Sequence, residues 1–193
     1  MARPRPETPG IRGSVLLSRI KYIRERGGDD ALKRVLAKVP ESDRGVLGGW
    51  LLNTTWYPLD LNLRLDDAIA QVFSPDDPDR VFLEMGRTSA EVNLAGPHKH
   101  FVRKDDPHFL LSQAPVIYAA YYAIGRREYE KTGPSACVLR TFDAESVTLT
   151  DCLTVVGWHV RAIELCGGKA ATVVEKVCRA KGGERCEYHC SWR

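Results

Sequence analysis

Apolar residues return every three or four positions through the first two thirds of the chain, a period that predicts helices. Val15, Leu16, Ile20 and Ile23 set it over residues 13–26, and Gly27-Gly28 ends it. Asp29-Asp30 opens a second helix over 31–39, closed by Pro40. Residues 45–52 form a short apolar piece ahead of a loop made rigid by Pro58. Leu61, Leu65, Ala68, Ile69 and Val72 predict a third helix over 61–73, and Ser74-Pro75-Asp76-Asp77-Pro78 breaks it and caps a fourth over 79–94. Residues 107–127 read as one long, mostly buried helix, in which Pro115 either makes a kink or marks the true first turn. After Gly133-Pro134 the pattern changes, and 136–143 and 146–151 read as strands. Another helix carries Leu153, Val156, Val160 and Ile163 on one side and stops at Gly167-Gly168. Residues 171–177 and 186–192, joined through Lys181-Gly182-Gly183-Glu184, read as a closing hairpin. The order predicts an α+β architecture, with helices packed on one face of a small antiparallel sheet. Residues 1–10 are expected to be a flexible tail and 11–193 one domain, helical over 11–130 and sheet-forming over 134–193.

Composition narrows the classes. With 193 residues, 44% of them hydrophobic, the chain can bury a core of its own. The net charge of +3, from 28 basic and 25 acidic residues, has no basic run interleaved with aromatics, so no nucleic-acid surface is expected. No apolar run reaches membrane-spanning length. The opening MARPRPETPG carries three prolines and no apolar core, which excludes a secretory signal. Six cysteines without such a signal favour a reducing, cytoplasmic setting and metal binding over a disulfide framework. Neither G-x-S-x-G, a phosphate-binding glycine loop nor H-E-x-x-H is present, and no enzyme is expected.

Five of the six cysteines lie between Cys152 and Cys190. A helix followed by a hairpin can bring Cys152, Glu175, Cys178 and Cys186 to one point, and three thiolates with a carboxylate suit a structural zinc ion. The rival use is plain burial, since cysteine is among the most buried residue types. Residues 175 and 178 would face opposite ways on an ideal strand, so a shared site requires a bulge or an early turn there. Cys166 or Cys190 is an alternative fourth ligand in place of Glu175, and Cys137, in an apolar strand, belongs to the core. Cys152 at a helix start has no placed base to make it a nucleophile.

The segment EKVCRAKGGERCEYHC resembles the end of the 4-vinyl reductase-type small-molecule-binding domain, where a strand bearing E-x-x-C is followed by G-x-x-x-C and an aromatic strand. That resemblance implies the fold shared with nitric-oxide-signalling and Golgi-trafficking ligand-binding domains. Through the phenol- and xylene-sensing members it implies zinc on Cys152, Glu175, Cys178 and Cys186. The phenol-holding His and Trp of those members are not carried over, because no Trp lies between residues 57 and 157. No histidine stands out as an axial haem ligand. The earlier segments IRGSVLLSRIKYIRERGG and WYPLDLNLRLDDAIAQVF resemble a myxobacterial paralogous family of unknown function.

Phe109, Tyr118, Tyr121 and Tyr122 are the candidate pocket, Tyr118 and Tyr122 being i, i+4 neighbours with polar tips on apolar rings. Packing inside a helix layer is the commoner use of such a stripe. His98, His100 and His108 read as solvated loop histidines, and His159 as a helix-surface or capping residue. Trp50, Trp56 and Tyr57 suit a pocket wall or a dimer face. The resulting expectation is a non-enzymatic sensory domain that binds a small, largely apolar or aromatic ligand and signals to a second copy or a partner protein. A ligand-free protein-interaction module of the same fold is the alternative, and an accessory subunit of a metabolic enzyme a more distant one.

Overall fold

The computed structural model describes residues 6–144 and 148–193. In chain order it holds β1 (Gly10–Arg12), α1 (Gly13–Leu36), α2 (Glu41–Leu47), β2 (Trp56–Pro58), α3 (Leu59–Phe73), α4 (Pro78–Ala95), α5 (Pro107–Ser112), α6 (Ala114–Tyr121), β3 (Arg126–Gly133), β4 (Ala136–Phe142), α7 (Leu149–Leu165), β5 (Thr172–Val177) and β6 (Cys186–Ser191). A helical layer from the first half of the chain meets a four-stranded antiparallel sheet of order β3-β4-β6-β5 from the second. The α+β architecture is therefore present. Among the described residues no helix is long and apolar enough to cross a membrane.

Most expected helices form where the period places them. Gly28 breaks α1 with φ of 66° and ψ of −164°, so the double glycine divides the helix as its position suggests. Pro78 stands in the first turn of α4, where its missing N–H has no helical partner to lose. Within α1 and α3, residues Leu16, Ile20, Ile23, Leu65 and Ile69 form the core of the helical layer together with Met85 of α4.

Two expectations are corrected. The single helix over 107–127 is instead α5, α6 and the start of β3. Pro115 opens α6 rather than kinking a longer helix, Tyr122 is extended at φ −112° and ψ 132°, and Gly125 turns the chain at φ +84°. β3 then alternates, with Arg127 and Tyr129 half-buried while Arg126, Glu128 and Glu130 are exposed. Its charge density hid a period of two. Of the expected strand over 146–151, residues 149–151 instead open α7. Residues 145–147 lie outside the described residues, and Thr148 caps α7, its Oγ1 accepting from Asp151 N at 3.4 Å. A small ribbon of β1 with β2, pairing Ile11 with Tyr57, escaped the sequence reading because each strand is three residues long.

One face of the sheet (Arg127, Tyr129, Cys137, Leu139, Thr141, Cys186, Tyr188 and Cys190) turns toward the helices. The other carries Glu187, to which Arg140, Arg185 and His189 all donate. Helix α7 lies between the sheet and α4. It approaches α4 so closely that a Cβ on Gly86 would sit 2.0 Å from Thr154 O, and one on Gly157 2.0 Å from Leu83 O. Only glycine allows backbones to meet at that separation. Gly86→Ala is accordingly expected to cost about 3 kcal/mol in urea denaturation. Gly45→Ala, in α2 with open space around it, is expected to gain about 0.5 kcal/mol from helix propensity.

Candidate functional site: an interior cavity and a thiol cluster

Two clusters of chemistry share α7. The first surrounds a cavity of about 60 Å³ lined by α1, α4, α6, α7 and the start of β3. A smaller one of about 20 Å³ adjoins it, and both share Tyr118, Tyr122, Arg127 and Val155.

His159 is the most unusual wall residue. It is 1% exposed, its Nδ1 lies 2.8 Å from Val155 O, and its Nε2 is buried with no partner. The carbonyl can only accept, so Nδ1 carries the proton and Nε2 presents a bare lone pair. Burial, reinforced by the nearby Arg127 charge, lowers its pKa to about 3, which keeps the ring neutral. Tyr121 offers a second orphan: its hydroxyl is buried without a partner, and burial raises its pKa above the ordinary phenol value. Tyr118 and Tyr122 stack at 4.8 Å between ring centroids, Tyr118 Oη donates to Ile124 O, and Tyr122 Oη donates to Asp151 Oδ1, both at 2.9 Å. Arg127 places its guanidinium 4.9 Å from the Tyr118 ring centroid and donates from Nε to Thr141 Oγ1 at 3.0 Å.

Arg19 also reaches the cavity wall but is fully engaged. It forms a two-pronged pair with Asp66 at 2.7 and 3.2 Å and donates to Ser89 Oγ at 2.6 Å. Asn62 Nδ2 donates to the same carboxylate at 3.1 Å.

The second cluster is the group of cysteines. Donor atoms of Cys152, Glu175, Cys178 and Cys186 all lie within 4.8 Å of one another. Cys152 Sγ is 3.6 Å from Cys178 Sγ and 3.8 Å from Cys186 Sγ. A register shift between Glu175 and Val177 supplies the bulge that turns Cys178 toward Glu175. Glu175 Oε1 is buried without a partner. The hydrogen bond between Cys152 and Cys186 raises the former thiol well above its usual pKa and lowers the latter to about 7, while burial raises Cys178. Cys166 and Cys190 stay outside the cluster: Cys166 packs beside Ile11 and Ala162, and Cys190 pairs across strands with Cys137.

Other candidates are dispersed. Phe109 does not line the cavity; Arg103 covers its ring, 3.2 Å from the centroid. His98 is half-buried, edge-on to Tyr121 at 5.4 Å, and His100 is exposed. His108 is no solvated loop residue, because its ring meets Tyr129 Oη at 2.7 Å and Pro134 O at 2.9 Å, anchoring the β3–β4 turn. Trp50 is 95% exposed, whereas Trp56 lies under the Arg12 guanidinium.

Sequence reading placed His159 on the helix surface and passed over Arg19, Asp66 and Arg127. The available signal was phase: Arg19 falls three and four residues from Leu16 and Val15, and Asp66 three before Ile69, so each occupies a core position of its helix. His159 falls four after Val155 and seven after Cys152, on a buried face adjoining the one the apolar residues suggested.

No family model matches the chain, and no curated protein does. Solved structures do share its fold. An H-NOX (haem nitric oxide/oxygen-binding) protein from S. oneidensis in the Fe(II)NO ligation state superposes with a TM-score of 0.73 at 13% identity, covering 95% of this chain and 99% of that one. An Fe(II) unliganded H-NOX protein from K. algicida gives 0.71 at 10%, covering 95% and 97%. An H-NOX structure that probes the function of haem distortion gives 0.70 at 13%, covering 95% of each chain. The chain therefore has the H-NOX fold. This corrects the resemblance to the 4-vinyl reductase-type domain and to the myxobacterial family. The E-x-x-C…C spacing specifies only that a helix meets a hairpin, a juxtaposition that this fold makes as well. The zinc expectation is corrected with it, since the neighbours are described by iron and haem.

A haem in the interior would need both an axial ligand and room for its ring. His159 Nε2 has the lone pair of an axial ligand, with its other ring nitrogen held by a carbonyl in the usual supporting arrangement. The space fails: 60 Å³ is well below the range of about 300 Å³ and upward in which pockets enclose even drug-sized molecules. The close α4–α7 contact forms one side of that space. The residues present do not fit a porphyrin.

A buried neutral histidine makes stability depend on pH. Its folded pKa is depressed, so below the unfolded value of 6.5 the unfolded chain binds a proton that the native one refuses. Unfolding free energy should fall on acidification between pH 6.5 and about 3 by up to roughly 1.4 kcal/mol per pH unit from this group. Denaturant titrations of wild type and His159→Gln across that range check this, the variant showing the shallower slope.

Proposed function

We propose that this chain is a non-enzymatic sensory domain that binds a small molecule in the cavity between α1, α4, α6 and α7 and passes the signal to a second copy or a partner protein. The observation that carries this reading is the pair of orphaned polar atoms, His159 Nε2 and Tyr121 Oη, on the wall of one cavity. Each buried polar atom left unbonded costs about 1–3 kcal/mol, and a ligand that bonds both recovers that loss. Likeness of fold to gas- and haem-binding proteins agrees with a sensory role, although the ligand here binds without a porphyrin.

The thiol cluster supports a second element of the reading, a cation site that fastens α7 to the β5–β6 hairpin. Its support is the mutual approach of four donor atoms and the unpartnered Glu175 Oε1.

Two measurements test these statements. A fragment screen followed by thermal shift and by long-range ¹H–¹⁵N spectra of the histidines should find small polar ligands that raise Tm and move the His159 Nε2 resonance. Failure of every fragment to move that resonance would overturn the sensory reading. Added hemin should give no stoichiometric histidine-ligated Soret complex. Native mass spectrometry of the purified, metal-replete protein should show one bound cation, lost in Cys152→Ser/Cys186→Ser with a Tm fall of about 5 °C or more. Wild-type protein that carries no cation under those conditions would remove the cluster from the account.

A further inference from the structure

The cavity wall is specific about what it accepts. Arg127 is a half-buried cation on the sheet face turned inward, and it lines both cavities. Its hydrogen bond goes to a neutral hydroxyl, that of Thr141, and it faces the Tyr118 and Tyr188 rings at 4.9 and 5.9 Å. Among the described residues no carboxylate comes within ion-pair distance of it. Asp151 accepts from Tyr122 instead, and Asp66 is held by Arg19 and Asn62. A half-buried cation with no carboxylate in ion-pair contact, opposed only at longer range by Asp151, can still take an anion.

His159 adds the opposite demand. With its proton committed to Val155 O, Nε2 can only accept, so it repels a bare carboxylate oxygen and requires a donor from the ligand. Tyr121 Oη can donate to the oxygen that supplies that donor. One ligand meets all three groups when it carries an anionic group for Arg127 and a hydroxyl that donates to His159 and accepts from Tyr121. Size sets the rest. At 10–15 Å³ for each water-sized occupant, 60 Å³ admits about four to six non-hydrogen atoms. Ile117, Val155 and Ala114 supply an apolar wall for a short carbon tail.

We infer that the cavity binds a short 2-hydroxy carboxylate, with the carboxylate facing Arg127 and the hydroxyl bridging His159 Nε2 and Tyr121 Oη. This rests on the reading of the cavity as a ligand site and names the class of ligand for it.

The test is calorimetric titration of the full chain with glycolate and lactate, against propionate, which lacks the hydroxyl, and 1,2-propanediol, which lacks the charge. The hydroxy acids should bind at least about tenfold more tightly than either comparator, the equivalent of one lost buried hydrogen bond or charge contact. Arg127→Gln should abolish the preference for acid over diol. Tyr121→Phe, which removes one oxygen from an otherwise packed ring, should weaken the hydroxy acids by about tenfold and leave propionate unchanged. The His159 Nε2 resonance should move with hydroxy acids and diol, not with propionate. Equal affinity for lactate and propionate, or indifference to Arg127→Gln, overturns the inference. Should Arg127→Gln fail to fold, the wild-type ligand series and Tyr121→Phe decide the matter alone. Neutral fragments that move His159 while hydroxy acids do not bind would sink the ligand class and leave the sensory reading intact. No ligand of any kind moving His159 would sink both.

Discussion

Everything in the interior depends on how closely α4 and α7 approach. Gly86 against Thr154 O and Gly157 against Leu83 O bring two backbones into contact where any side chain would hold them apart. That contact fixes the rotation of α7 as well as its distance. With Thr154 and Gly157 committed to α4, Cys152 turns to the sheet while Val155 and His159 turn to the cavity. It also sets how much space remains. The same contact that places a histidine lone pair on the wall forms one side of a space of about 60 Å³, which has room only for something small. Fold and cofactor are separable for this reason: the H-NOX topology is retained at 10–14% identity, while the volume inside it is set by individual side chains.

The helical layer is built around a buried charge rather than apolar packing alone. Arg19 and Asp66 are 3% and 0% exposed, and their two-pronged pair joins α1 to α3 while Ser89 brings in α4. Desolvating both ions offsets much of their attraction, so the pair's worth lies in geometry. It permits one rotation of α1 against α3, whereas an apolar substitute of equal volume would tolerate several. The charged group on the outer sheet face works differently. Glu187 accepts from His189, Arg140 and Arg185, which together hold its pKa near 2, and it covers β4 and β6 where no helix does. One network specifies orientation inside and the other shields an open sheet face.

How much of this was legible follows from which signals are local. Helices with a continuous apolar stripe, α3 and α4 above all, could be read to within a residue or two, as could the closing hairpin with its glycine turn. β3 could not, because an edge strand with one face in solvent carries Arg126, Glu128 and Glu130 at alternate positions, and charge masks a period of two. The four donors of the thiol cluster were nameable from spacing, and a break in the strand there, a bulge or an early turn, could be required in advance; the register shift between Glu175 and Val177 is that break. The family that the spacing suggested was not the one whose fold the chain adopts, because a helix set against a hairpin is common to several folds. His159 was misplaced for another reason. α7 is apolar nearly all round, packed by α4 on one side and the sheet on the other, so its Leu153–Val156–Val160 stripe did not mark the buried face. The orphaned Nε2 is invisible to sequence, since the partner it lacks is a fact about every neighbouring element at once.

The cavity and the thiol cluster are not independent sites that happen to share a protein. Cys152 and Cys186 form part of the wall of the smaller cavity, alongside Tyr122 and Arg127. Asp151 and Cys152 are consecutive, one held by Tyr122 just past α6 and the other by thiols of the hairpin. A change at either place therefore acts on the first turn of α7, the part of that helix ahead of its glycine contact with α4. The rest of α7 cannot slide as a body without driving Gly157 into Leu83 O. Coupling between ligand and cluster is thus confined to whatever the first turn can absorb, namely the Thr148 cap and the Tyr122–Asp151 bond. A ligand biases that turn only as far as it contacts Tyr122 or Arg127 differently in two arrangements, and a ligand that touched His159 alone would leave the cluster unaffected.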